Sequence, residues 1–297
     1  MTESTMGWQQ VISDELFLSK LKLDVTSPSV FVKCQWERCP PLAFVVYRLC
    51  LALYFLSWLI YTGYEKGIHY KNPSVFFVYF THWVLILLTS SMMVSAGATL
   101  YHYLLRSRGE SWADDITFDI QMEQQSASLA HDQDSRLYQG EDVTVRVITN
   151  VKVETPWYCK LSWVLYNMTF SATILVFLIY WPLLYDGHFM GTKFNNHAMT
   201  ALVMLADVFV TKIPIRLLHM VYPLVFVTVY TIFNIIYSLS GGLNAYGSPY
   251  IYKFLDWRKP LIPITVVACL GVVGIPVLQV TIFALYRLRL FLHKRCR

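Results

Sequence analysis

The chain has 297 residues, 56% of them hydrophobic and 14% charged, with 20 Tyr, 18 Phe, 9 Trp and a formal net charge of +5. Soluble domains carry about 25% charged residues. There is too little polar side chain here to cover a water-facing globule, so an ordinary soluble domain is excluded.

In chain order, residues 1–41 form a mixed head, predicted to be a cytosolic N-terminal segment. Within it "WQQVISDELFLSKLKL" sets Trp8, Ile12 and Leu16 at helical spacing, with Ser13 as a local cap. It reads either as a surface-lying helix or as a plain terminal segment. It is no cleavable leader, because it lacks a compact apolar core and contains Asp14, Glu15 and Asp24. Six apolar runs follow, each measured against the roughly 18 residues needed to span a bilayer. They are Leu42–Thr62, Ser74–Leu105, Leu161–Tyr185, Ala198–Val210 with its flanks, Ile215–Leu239 and Leu261–Leu290. The fourth is the weakest, interrupted at Asp207. Tyr and Trp near the run ends, as in "YWPLLYDG", suit the headgroup region.

The fold class predicted is therefore an all-α, polytopic transmembrane six-helix bundle over residues 42–290, with a basic tail over 291–297. Residues 107–157 form an acidic loop in which "SASLAHDQDSRLYQGED" has the composition of disorder and "VTVRVITNVKVE" alternates like a short strand. With six spans, both termini, that loop and the junction at Lys212 and Arg216 share one side. That side holds most of the 24 Lys and Arg residues, which puts both termini in the cytosol of a plasma membrane or endomembrane protein. The basic tail anchors the last helix at an anionic leaflet and is no sign of nucleic acid. The loops Gly63–Pro73, Asp186–Thr192 and Ser240–Pro260 on the other side are short.

Cys34 and Cys39 have no nearby His or second Cys pair, so the spacing gives no zinc centre, and no phosphate-binding Gly loop is visible. No cofactor is implied. Asn167 opens an N-x-T acceptor but lies inside the third run, where it would be inert.

Ionisable and polar residues inside a membrane run cost free energy and face the bundle interior. By that rule His197, Asp207, Thr200, Thr81, His82, Asn167 and Asn234 are candidates, most of them as plain hydrogen-bonding groups. One pair stands out by depth. If the second run enters at Ser74, Thr81 is about 10 Å deep, and entry at Lys193 puts His197 about 6 Å deep in the same leaflet. A hydroxyl nucleophile needs a base within reach, and a histidine supplies one. Asp207, ten residues after His197, falls about 80° short of three full turns and is off that face.

The stretches "CQWERCP", "FVYFTHWVLIL", "PWYCKLSWVLYNM", "NNHAMTALVMLADVFVTKIPIRLLHMVYPL" and "YIYKFLDW" resemble the rolling stone family, multipass proteins linked to myoblast fusion. More distantly, the chain is similar to the androgen-induced membrane hydrolases. Those enzymes have a six-helix core and cleave fatty-acid esters of hydroxy fatty acids with a Thr nucleophile and a His base. That resemblance implies Thr81 as nucleophile, after the aromatic lead-in "NPSVFFVYF". The hydrolases' catalytic His precedes a Glu by ten residues, and His197 precedes Asp207 by ten. A competing register through Asn196-His197-Ala198-Met199 would put Thr200 in that place and lose the base. The hydrolases' motif reads Asn-His-x-Met-His-Thr, and only one of its two histidines is present here. The function expected is an intramembrane lipid-ester hydrolase acting on membrane lipids, with Asn195 or Asn196 as polar support. The alternative is a non-catalytic protein of cell–cell fusion or adhesion, with protein partners unspecified. A transporter is the weaker reading, since no inverted repeat is visible.

Overall fold

The computed structural model describes residues 8–25, 27–69, 73–108 and 154–296. The acidic stretch from 109 to 153, and with it nearly all of the expected strand, lies outside the described residues. Every named element among them is helical. A short α1, Trp8–Glu15, precedes six longer helical runs: α2 Pro41–His69, α3 Phe80–Ser107, α4 Trp157–Leu184, α5 over 191–210, α6 Leu217–Leu239 and α7 Leu261–Arg295. Five of these, α2, α3, α4, α6 and α7, are long and apolar enough to cross a membrane. The α5 run is continuous through segments of 4, 5 and 11 residues, yet its polar first half keeps it out of that group.

The central pair is α3 and α4. In each, 61% of the apolar window is buried, against 28% in α2 and 17% in α6 and α7, so those three form the outer wall. Small residues let α3 and α4 approach closely: Ser91, Ser95, Ala96, Ser162 and Thr169 are all buried, and the Ser95 and Ser162 hydroxyls are 2.9 Å apart. Phe55, Leu88, Trp163, Met204, Val208 and Ile213 fill the space between helices. Ile60 on α2, Val229 and Ile236 on α6, and Val272 and Val277 on α7 are exposed, as lipid-facing side chains would be.

The segment between α5 and α6 is extended and buried, and inside a bundle every such carbonyl needs a donor. Four side chains from two helices and the head supply them. Arg289 of α7 donates to the carbonyls of Val208 (3.1 Å), Thr211 and Ile213 (3.2 Å). Trp163 donates to Pro214 at 2.6 Å and Gln279 to Arg216 at 2.8 Å. The last carbonyls of α5 accept from Trp36 Nε1 at Phe209 (2.9 Å) and from the Gln35 N–H at Val210 (2.8 Å). The head is thus docked into the bundle. Arg216 fastens it further, donating to the carbonyls of Lys20, Lys22 and Asp24 while lying over the Trp163 ring at 4.7 Å.

Two local expectations are corrected. Ser13 is no cap, because it sits within α1 and its hydroxyl bonds back to the Gln10 carbonyl at 2.9 Å. The second run starts at Phe80 rather than Ser74, since Pro73–Val78 forms a tight 3-10 turn ahead of it.

Candidate active site

Three helices of the bundle contain a wide π-helical turn: Tyr180–Leu184 in α4, Asn195–Met199 in α5 and Leu270–Gly274 in α7. Such turns collect at functional sites because the extra residue opens the helix wall. Tyr180, Leu184, His197 and Leu270 from these turns all line one cavity between α3, α4, α6 and α7, with an empty volume of about 630 Å³ counting its mouth. Its other walls are mostly apolar, among them Val176, Val227 and Val267. A second, more polar cavity of about 990 Å³ adjoins it, where α2 ends and α3 and α5 begin. Lys66, Lys193, Lys253, Asn196 and Asn244 face this one. Thr81, His197, Tyr180, Leu184 and Tyr252 line both, so they stand at the junction.

Thr81 reaches the junction from the first turn of α3. The depth argued from a start at Ser74 is therefore wrong; Thr81 is the second residue of its helix, and what it shares with His197 is the cavity wall. Its neighbour His82 is buried, stacked on Phe76 at 4.0 Å and 7°, with Nδ1 2.6 Å from the Phe76 carbonyl. A carbonyl only accepts, so Nδ1 carries the proton and Nε2 is left as an acceptor. His82 faces the polar cavity.

His197 lies flat on Tyr180, with centroids 3.5 Å apart and planes at 1°. Its Nδ1 is buried without a hydrogen-bond partner. Two side chains of α2 fix the turn that carries it: the Tyr54 hydroxyl donates to Asn195 Oδ1 and Trp58 Nε1 to Asn196 Oδ1, each at 2.6 Å. Asn195 does not line either cavity; Asn196 lines the polar one, and with its oxygen taken by Trp58 its amide N–H groups remain as donors. Thr200 is buried and bonds back to the Asn196 carbonyl at 3.3 Å, away from both cavities.

Asp207 is remote from this junction. It is fully buried, 3.3 Å from Arg48 Nη1, and accepts from the Tyr47 hydroxyl at 2.8 Å. Asn167 and Asn234 are inward as expected, Asn167 donating to the Trp163 carbonyl and Asn234 accepting from Trp257 Nε1 at 2.7 Å. No group of three or more His, Cys, Asp or Glu that could hold a metal ion occurs among the described residues.

A helical bundle with five membrane-length helices and a cavity opening from a lysine-bearing mouth into an apolar limb is a multipass membrane protein with an internal cavity. The family profile described as "Rost: Protein rolling stone" matches residues 142–296, or 155 of the 297, and the chain belongs to that family. Protein rolling stone of Drosophila melanogaster is 29% identical over 238 residues, covering 78% of this chain and 73% of the fly protein. No solved structure matches. The profile match includes His197 and Tyr252 and begins after Thr81.

Proposed function

We propose that this rolling stone family member is an intramembrane lipid-ester hydrolase, with Thr81 as nucleophile and His197 as general base. In the same reading α5 makes a sixth crossing, both termini are cytosolic and the lysine-bearing mouth opens on the opposite side. The observation that carries the proposal is the shared position of Thr81 and His197 where a polar mouth meets an apolar limb. An amphiphile entering there would leave its head among Lys66, Lys193 and Lys253, lay its chain along Val176, Val227 and Val267, and hold its ester at the junction.

The chemistry balances with these groups alone. Thr81 Oγ bonds to the acyl carbon while its proton passes to His197, and the carbonyl π pair moves onto oxygen. As that pair returns, the bond to the alcohol breaks and His197 protonates the leaving oxygen. A water then repeats the sequence on the acyl-threonine, releasing the fatty acid and restoring the hydroxyl. Thr81 is at the positive end of a 28-residue helix, which favours the negative charge built up on attack. No carboxylate among the described residues orients His197, since Asp207 is held by Arg48. Stacking on Tyr180 and the two asparagine pins do that work instead.

Membranes carrying the full chain should react with a lipid-like fluorophosphonate, and the labelling should vanish in both Thr81→Ala and His197→Ala while thermal unfolding stays within a few degrees of wild type. An unlabelled wild type sinks the hydrolase reading and leaves a non-catalytic fusion or adhesion role as the one to pursue.

A further inference from the structure

A hydrolase of this kind needs a donor for the oxyanion, and the sequence alone offers only Asn195 or Asn196. Asn195 faces neither cavity. Another group meets the need better, carried on the loop between α6 and α7.

That loop is built to hold a side chain in place. Gly241, in the left-handed region at φ +79°, ends α6, and Asn244 Oδ1 accepts the N–H groups of Tyr246 and Ser248 at 2.9 Å each. Ile251 is buried with Val75 and Val78 of the turn before α3. The N–H of Ala245 donates to the Tyr79 hydroxyl at 3.1 Å. Tyr252 follows, stacked on Phe254 at 5.5 Å and 11° and edge-on to Tyr79 at 6.1 Å. Its phenol oxygen accepts the Phe80 N–H at 3.1 Å and lies beside the Thr81 hydroxyl.

The Phe80 N–H is one of the donors left unpaired at a helix start. Because it can only donate, the Tyr252 oxygen is its acceptor, and the single phenol proton is left for an acceptor, either the neighbouring Tyr230 oxygen or a group in the cavity. On attack, the oxyanion is the oxygen on the carbon newly bonded to Thr81 Oγ, two bonds from the atom that Tyr252 already neighbours. Tyr180 also borders both cavities, but its ring lies flat on His197. Asn196 faces only the polar mouth.

We propose that Tyr252 is a catalytic residue of this site, donating its phenol hydrogen bond to the oxyanion formed when Thr81 attacks an ester carbonyl. The assignment rests on the hydrolase reading above. Tyr252 gives up no proton in the step: the Thr81 proton goes to His197 and then to the leaving alcohol, while the phenol hydrogen bond shortens and relaxes. Burial pushes the phenol pKa up to about 12, so it stays protonated at neutral pH.

The test uses the full chain in lipid vesicles with a p-nitrophenyl ester of a long-chain fatty acid, comparing wild type with Tyr252→Phe. Loss of an oxyanion donor should lower kcat about 100-fold, with KM within about twofold and thermal unfolding unchanged. Incorporation of difluorotyrosine at position 252, which keeps the fold contacts and makes the phenol more acidic, should retain activity and bring its alkaline loss to lower pH. An active wild type with an equally active Tyr252→Phe, or one in which only KM rises, overturns the role of Tyr252 and leaves Thr81 and His197 standing. A wild type that neither turns over nor labels removes the hydrolase reading and this assignment together.

Discussion

Replacing Asp207 by Ala separates a structural carboxylate from a catalytic one. Asp207 and Arg48 have side chains with 0% exposure, their charges 3.3 Å apart, and Tyr47 donates its hydroxyl to the same carboxylate oxygen. Removing the carboxylate strands a buried guanidinium, two of whose nitrogens, Nε and Nη2, are already without partners. Breaking a buried pair in this way costs about 3–5 kcal/mol, with about 1 kcal/mol more for the hydrogen bond lost by Tyr47. Thermal unfolding in detergent should shift down by roughly 8–24 °C, taking about 2–4 °C per kcal/mol. The double variant Arg48→Met, Asp207→Leu puts apolar volume where the pair was and should recover to within about 1–2 kcal/mol of wild type. Fluorophosphonate labelling per folded molecule should equal wild type in both, because Asp207 lines neither cavity. A single variant that unfolds like wild type, or a double variant as unstable as the single, would refute the argument. Labelling lost from a folded single variant would return Asp207 to the chemistry.

Two further outcomes test other parts of the structure. Arg289→Met leaves the carbonyls of Val208, Thr211 and Ile213 without their donor, which should cost on the order of 3 kcal/mol in detergent unfolding. Arg289→Lys should recover only part, since an ammonium cannot reproduce the planar fork; full recovery would mean that charge, not geometry, caps the segment. Burial, and then the neighbouring Cys34, push the Cys39 thiol up to about 11 from 9.0. In a variant whose only cysteines are Cys34, Cys39 and Cys296, read by peptide mapping at pH 8, Cys39 should alkylate roughly 100-fold more slowly than a thiol of ordinary pKa. Its rate should keep rising with pH until about 11, where the thiolate dominates. Equal rates for Cys39 and the exposed Cys296 at pH 8 would show that Cys39 is not buried in this way.

The apolar runs made α2, α3, α4, α6 and α7 legible, because a bilayer demands a length that local sequence records directly. The start of α3 was not, since "NPSVFFV" is as apolar as the helix it precedes and only its 3-10 geometry sets it apart. Nothing in the sequence singled out Arg48 or Arg289, which fall within the apolar runs Leu42–Thr62 and Leu261–Leu290, yet both are buried. Their partners are Asp207, 159 residues away, and the carbonyls of Val208, Thr211 and Ile213, and no local pattern announces such pairings. The head was legible as a helix but not as a plug, because its anchor is Arg216, nearly two hundred residues downstream. Thr81 and His197 were reachable by residue type and by resemblance, whereas the cavity joining them was not, being made by wide turns in three helices. Tyr252 went unassigned because a tyrosine in a loop gives no sign of the helix start it will meet. The one clue was its place in "YIYKFLDW", a stretch that marked the family without revealing a role.

The capping of the α5 exit by Arg289 also sets an order of assembly. A ribosome finishes Thr211 a full 78 residues before it makes Arg289. At about 5–20 residues per second the exposed carbonyls wait several seconds for their donor. During that interval Trp163, already synthesised, can receive only the carbonyl of Pro214. Those carbonyls gain their donor only when the last helix packs in, so the docking of α7 is what seals the α5 exit.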